Sequence, residues 1–74
     1  MRDQEGKDYL LRFGKRLNEL RIDKELSFRK MAQNCKLDHS DIKKYELGET
    51  NLTLLVIVEL AKGLGVEPKE LLDF

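Results

Sequence analysis

The sequence predicts an all-α fold: a compact bundle of five helices in which helices 2 and 3 form a helix-turn-helix. Apolar residues recur at steps of three and four along most of the 74 residues, the period of helices buried on one face. Nowhere does strict alternation of strand-forming residues persist between turn signals. Between Leu26 and Gly48, two short helical patterns are separated only by a brief break. That spacing is the signature of two helices meeting across a turn.

Leu10, Phe13, Leu17 and Leu20 form one stripe and predict a first helix from about Lys7 to Lys24. Gly14 lies on the same side, where a glycine costs roughly 1 kcal/mol against alanine, so another helix is expected to approach closely there. Residues 1–6 are expected to be a flexible N-terminal segment, and 7–74 a single domain. Ser27 is a good N-cap for a second helix from Phe28, with Met31 and Ala32 inward and Cys35 near its end as a packing residue. Leu37-Asp38 supplies a turn and a second cap. The third helix, about His39 to Leu47, points only Ile42 and Tyr45 at the core.

Gly48 is the expected left-handed stop, followed by a loop from Glu49 to Leu52. Thr53 then caps a fourth helix with an inward face of Leu54, Ile57, Val58, Ala61 and Leu64. Gly65 ends it, and Pro68 suits the first turn of a last helix carrying Leu71 and Leu72.

Composition excludes several functions. One cysteine forbids an internal disulfide and a cysteine-pair zinc site, so a hydrophobic core must hold the fold, and no metal or cofactor is expected. One histidine, one cysteine and dispersed carboxylates offer no nucleophile–base pair, which argues against an enzyme. The longest apolar run, Leu54 to Val58, is far too short for a bilayer, and the opening Met-Arg-Asp-Gln-Glu-Gly is charged where a secretory signal is apolar. A cytoplasmic protein with no membrane partner is expected.

Net charge is zero, yet unevenly spread: residues 1–44 carry 12 Lys and Arg against 8 Asp and Glu, and residues 45–74 carry 2 against 6. The basic half contains the third helix, whose His39, Ser40, Asp41, Lys43 and Lys44 all hydrogen-bond and none of which a core needs. A short helix packed by one face with polar groups on the other suits the DNA major groove, and local positive charge favours docking on phosphate.

The chain resembles the Cro/C1-type (xenobiotic-response-element type) helix-turn-helix family from Phe13 to Leu72. The resemblance rests on Phe13-Gly14-Lys15-Arg16-Leu17 with Leu20-Arg21, Leu26-Ser27, Met31-Ala32, Ile42, Tyr45-Glu46, Gly48, and Leu60-Ala61-Lys62-Gly63-Leu64-Gly65-Val66. It implies a lambda-repressor-like bundle that binds double-stranded DNA, as a homodimer on a two-fold operator, to regulate transcription. Carried onto this chain, it makes His39, Ser40, Lys43 and Lys44 the base-edge or groove contacts. Lys15, Arg16, Arg29 and Lys30 add positive charge that favours DNA. It also implies an ion pair between Arg21 and Glu46 linking the first and third helices.

The chain departs from the family pattern in places. Phe28 stands where the family usually has a glutamine, and a phenyl ring cannot hydrogen-bond to an anion. Lys36 replaces the usual turn glycine, which implies strain if that turn needs positive φ. Leu47 and Glu49 replace residues commonly polar or basic near phosphate. Phe28, Leu47 and Glu49 favour an alternative, a protein-interaction module (antitoxin-like or adaptor) with a protein partner. Leu55 and Val56 fall outside the inward stripe of helix four, and with Leu72 and Phe74 they are expected to form a dimer interface.

Overall fold

The computed structural model describes residues 3–74, which form five helices and no strand: α1 (Asp3–Asp23), α2 (Phe28–Ala32), α3 (His39–Glu46), α4 (Leu54–Leu64) and α5 (Pro68–Leu71). At about 1.5 Å per residue, α1 extends along most of the molecule's 35 Å long axis. Every helix sends side chains into one core: Phe13 and Leu17 from α1, Met31 from α2, Ile42 from α3, Leu60, Ala61 and Leu64 from α4, and Leu71 from α5. With no disulfide, these side chains carry the fold.

The helix ends follow from local chemistry. Ser27 and Thr53 accept from the backbone N–H of Lys30 and Val56, each satisfying a donor that the first turn leaves free. Gly48 and Gly65 take φ of 71° and 74°, the left-handed conformation that stops α3 and α4. Pro68 opens α5, and the Glu70 carboxylate reaches back to accept from the Glu67 backbone N–H at 3.1 Å, one half of a capping box. Glu25, just past α1, holds a φ of 57° without being a glycine.

Several boundaries and faces differ from the sequence expectation. α1 begins at Asp3 instead of about Lys7, so residues 3–6 of the segment expected to be flexible are helical, and residues 1 and 2 lie outside the described residues. α2 stops at Ala32, which leaves Cys35 in the turn beyond it, half-buried against the core. α3 ends at Glu46 with Leu47 as its C-cap. In α4 the buried arc is rotated from the expected one. Leu60 is fully buried and Val56 packs on the core, whereas Leu54 is 72% exposed. At about 100° per residue, a core centred on Leu60 and Leu64 leaves Leu54 near the arc's edge and brings Val56 within it.

Lys36 carries no positive φ. Its backbone N–H donates to Glu59 Oε1 at 3.0 Å, so α4 satisfies the turn between α2 and α3. That bond is the main reason the Glu59 carboxyl lies below the usual glutamate range, with Lys62 Nζ at 3.2 Å from the other oxygen assisting.

Candidate nucleic-acid interface

α1 and α3 touch at Gly14. A Cβ there would stand 2.8 Å from the Tyr45 carbonyl oxygen and closer still to that of Glu46, so only glycine admits this approach. One and two helical turns further on, Asn18 and Arg21 reach the side chain of Glu46. Asn18 Nδ2 donates to Glu46 Oε1 at 2.8 Å, Arg21 Nη2 donates to the same oxygen at 3.2 Å, and Arg21 Nε donates to Oε2. Arg21 Nη1 donates to the Leu26 carbonyl at 2.8 Å. Arg21 is the one buried charged residue among those described, and Glu46 has few open edges left.

Phe28 completes this junction. Its ring centroid lies 4.0 Å from the guanidinium carbon of Arg21, a cation–π stack that covers the face of the charge. Where a glutamine would reach outward to phosphate, this phenylalanine turns inward. The substitution strengthens the seating of α3 and gives up a polar contact. Four side chains from three helices thus converge on the C-terminal end of α3.

With that end fixed and Ile42 buried, the opposite face of α3 is open. Ser40, Lys43 and Lys44 are exposed, and His39 is partly exposed. Asp38, the N-cap, makes no hydrogen bond to the helix backbone through its side chain. Its Oδ2 accepts from Ser40 Oγ at 2.8 Å, and its Oδ1 lies 3.3 Å from His39 Nδ1. The Ser40 bond is the largest reason the Asp38 carboxyl sits below the usual aspartate range, and neighbouring His39 adds to it.

Arg29 and Lys30 are exposed on α2, and Lys15 is exposed on α1 next to Gly14. Arg16 is elsewhere. Its Nε donates to the Glu70 carbonyl at 2.9 Å, tying α1 to α5. At about 100° per residue, two positions beyond Gly14 is the far side of α1 from α3. Arg16 is therefore assigned to holding α5, not to a nucleic-acid face.

The expected dimer residues divide as well. Leu55 is 74% exposed, and Leu72 and Phe74 are exposed at the C-terminal end, but Val56 belongs to the core periphery. Leu72 and Phe74 line an apolar groove of about 320 Å³ with Tyr9, Leu10, Leu52 and Ile57. Arg12 lies over its rim, 5.2 Å from the Tyr9 ring and 5.1 Å from that of Phe74.

Asn18 and Glu59 escaped the sequence reading, while Phe28 was read only as a lost polar contact and Asp38 only as a cap. For Asn18 the signal was its place one turn beyond Gly14, on the side of α1 that also carries Arg21. Glu59 offered none, because its partner is a backbone N–H at a distant turn. Among the described residues, no group of three His, Cys, Asp or Glu is placed to hold a metal ion, and no helix is long and apolar enough to cross a membrane.

Residues 14–73 match the family described as helix-turn-helix domain. The control protein C.BamHI of Bacillus amyloliquefaciens is 40% identical over 65 residues, spanning 86% of this chain and 80% of that protein. The control protein C.MunI of a Mycoplasma species is 34% identical over 65 residues, spanning 86% of this chain and 88% of that protein. The crystal structure of the restriction-modification controller protein C.AhdI from Aeromonas hydrophila matches with a TM-score of 0.79 at 44% identity, covering 84% of this chain and 94% of that one. A paired α2 and α3 with an open polar face, together with these matches, leads to one conclusion: the chain belongs to the helix-turn-helix domain family and is a DNA-binding transcriptional regulator of the Cro/C1 type.

Proposed function

We propose that this chain controls a restriction–modification system by binding, as a homodimer, to a two-fold duplex DNA site in the cytoplasm. The observation that carries the reading is the division of α3 into a clamped inner face and an open outer face bearing His39, Ser40, Lys43 and Lys44. The likeness to controller proteins at 44% and 40% identity supplies the regulatory setting. In this reading α3 enters the major groove. Lys43 and Lys44 donate to guanine acceptors or flanking phosphates, while Arg29, Lys30 and Lys15 engage the backbone beside it.

The second copy docks on the apolar surface around the start of α4 and the C-terminus. Leu54 and Leu55 are the most exposed large apolar residues, and Leu54 lies one turn before Ile57, which lines the groove with Leu72 and Phe74. A two-fold axis there sets both α3 helices on one side, about one DNA turn apart. Sedimentation tests this with Leu54→Glu/Leu55→Glu, which spares Val56 and the core. A wild type that stays monomeric at tens of micromolar, or a folded double variant that still dimerises, would refute the dimer.

Selection of bound sites from random duplex DNA, followed by gel shifts at low and moderate salt, tests the DNA reading. The selected sequence should be two-fold symmetric and bind more weakly as salt rises, because phosphate contacts release counterions. Affinity that ignores salt, or selection that enriches nothing, would point to a protein partner.

A further inference from the structure

The N-terminal end of α3 has a fixed hydrogen-bond polarity. A serine hydroxyl owns one proton and two lone pairs. Ser40 donates that proton to Asp38 Oδ2 at 2.8 Å, although both side chains are exposed and free to turn to solvent. Asp38 makes no side-chain cap hydrogen bond to the helix; beyond Ser40 its carboxylate neighbours are the backbone and the Nδ1 of His39. An aspartate is ionised at neutral pH, so this carboxylate has no proton to offer. What the Ser40 and Asp38 side chains present outward is therefore a hydroxyl oxygen with free lone pairs beside a carboxylate, both acceptors.

We propose that Asp38 is a specificity-determining residue that makes Ser40 an acceptor-only reader of exocyclic amino groups, adenine N6 or cytosine N4, in the major groove. This rests on α3 being the DNA-reading helix. Guanine O6 and N7 and thymine O4 are acceptors, and each would meet the Ser40 and Asp38 oxygens lone pair to lone pair. One turn later, Lys43 and Lys44 carry donors and no acceptor, which suits guanine. The reading face thus changes polarity along its length, and each base pair it meets is constrained in orientation as well as identity.

The test starts with sites selected by the wild type, Ser40→Ala and Asp38→Ala. The position whose preference disappears in Ser40→Ala is the one Ser40 reads. There, removing the amino group, by purine for adenine or 2-pyrimidinone for cytosine, should weaken wild-type binding about tenfold. The same base change should leave Ser40→Ala unaffected, which separates loss of the serine–base hydrogen bond from altered duplex stability. Asp38→Ala frees the serine proton, so it should accept the reversed base pair that the wild type rejects. The proposal is overturned if amino-group removal costs the wild type nothing, or if Ser40→Ala keeps the full wild-type preference. Failure of the wild type to enrich any sequence overturns instead the DNA reading beneath it.

Discussion

The two ends of α3 are held by opposite means. At the C-terminal end, the Glu46 side chain is nearly enclosed and takes three donors from Asn18 and Arg21, with Phe28 stacked over the cation. At the N-terminal end, Asp38, His39 and Ser40 contact mainly one another and water. The enclosed bonds meet little competing solvent and fix the direction of the helix. At the exposed end the outer lone pairs of Ser40 and Asp38 are open to water, which a base edge can replace at little cost. A reader needs this asymmetry: rigid support at one end and replaceable partners at the other.

The contrast breaks most severely at the buried end. Arg21→Met strands the Glu46 carboxylate among Asn18 and apolar atoms, and removing one partner of a buried pair costs about 3–5 kcal/mol. Urea unfolding should show that loss, and Arg21→Met/Glu46→Leu should recover much of it, since an apolar pair is often neutral relative to a buried salt bridge. A single variant that loses under about 1 kcal/mol would mean that the junction does not anchor α3.

Gly14→Ala attacks the same junction through the backbone. The new methyl runs into the carbonyls of Tyr45 and Glu46, which cannot move aside as a side-chain tip can. A cost of about 1–3 kcal/mol from overpacking outweighs the roughly 1 kcal/mol that alanine gains inside a helix. Thermal unfolding should therefore show net destabilisation. A stabilised variant would show that α1 and α3 slide freely past each other.

Lys43→Ala/Lys44→Ala should do the reverse. Both side chains are exposed, and neither is tied down by a side-chain hydrogen bond among the described residues, so stability should stay within about 0.5 kcal/mol. Affinity for the selected site should fall by about 1–3 kcal/mol for each base that a lysine no longer reaches. Comparing unfolding with gel shifts separates the two ends: one variant set loses the fold, the other only the DNA.

The fold was legible because it depends on local rules. The caps at Ser27 and Thr53, the glycine stops at 48 and 65, and the proline at 68 each act within a few residues of the chain. Faces were harder to read. The inward side of α4 depends on where α2 and α5 stand, and a rotation of part of a turn exchanged Leu54 for Leu60 and drew Val56 inward. The site was legible at the level of which helix is exposed. Its hydrogen bonds were not, because they join positions far apart in sequence: Asn18 to Glu46, Arg16 to Glu70, and Lys36 to Glu59. Phe28 shows the limit well. Its chemistry said that it could not touch phosphate, but only the packing showed that it covers Arg21.

The smallest effect expected is on the pH dependence of stability, through Asp38 and Glu59. Asp38 and Glu59 both titrate below their ordinary values of 3.8 and 4.5, Asp38 chiefly through Ser40 and Glu59 chiefly through the Lys36 N–H. A carboxyl whose pKa is lower folded than unfolded binds fewer protons in the folded state. Its contribution is fully present above the ordinary value and is lost as pH falls through the lowered one. Stability should therefore be insensitive to these two groups at neutral pH and decline under acid, below about pH 4.5 for Glu59 and below about 3.8 for Asp38. Glu59→Gln should remove the higher-pH part of that decline, and Ser40→Ala should remove most of the Asp38 part, since it takes away the bond that lowers Asp38. Urea midpoints measured from neutral pH downward give both slopes. An acid decline unchanged in both variants would mean that solvent already screens these bonds, and that the Asp38–Ser40 hydrogen bond persists only as one of several exposed arrangements.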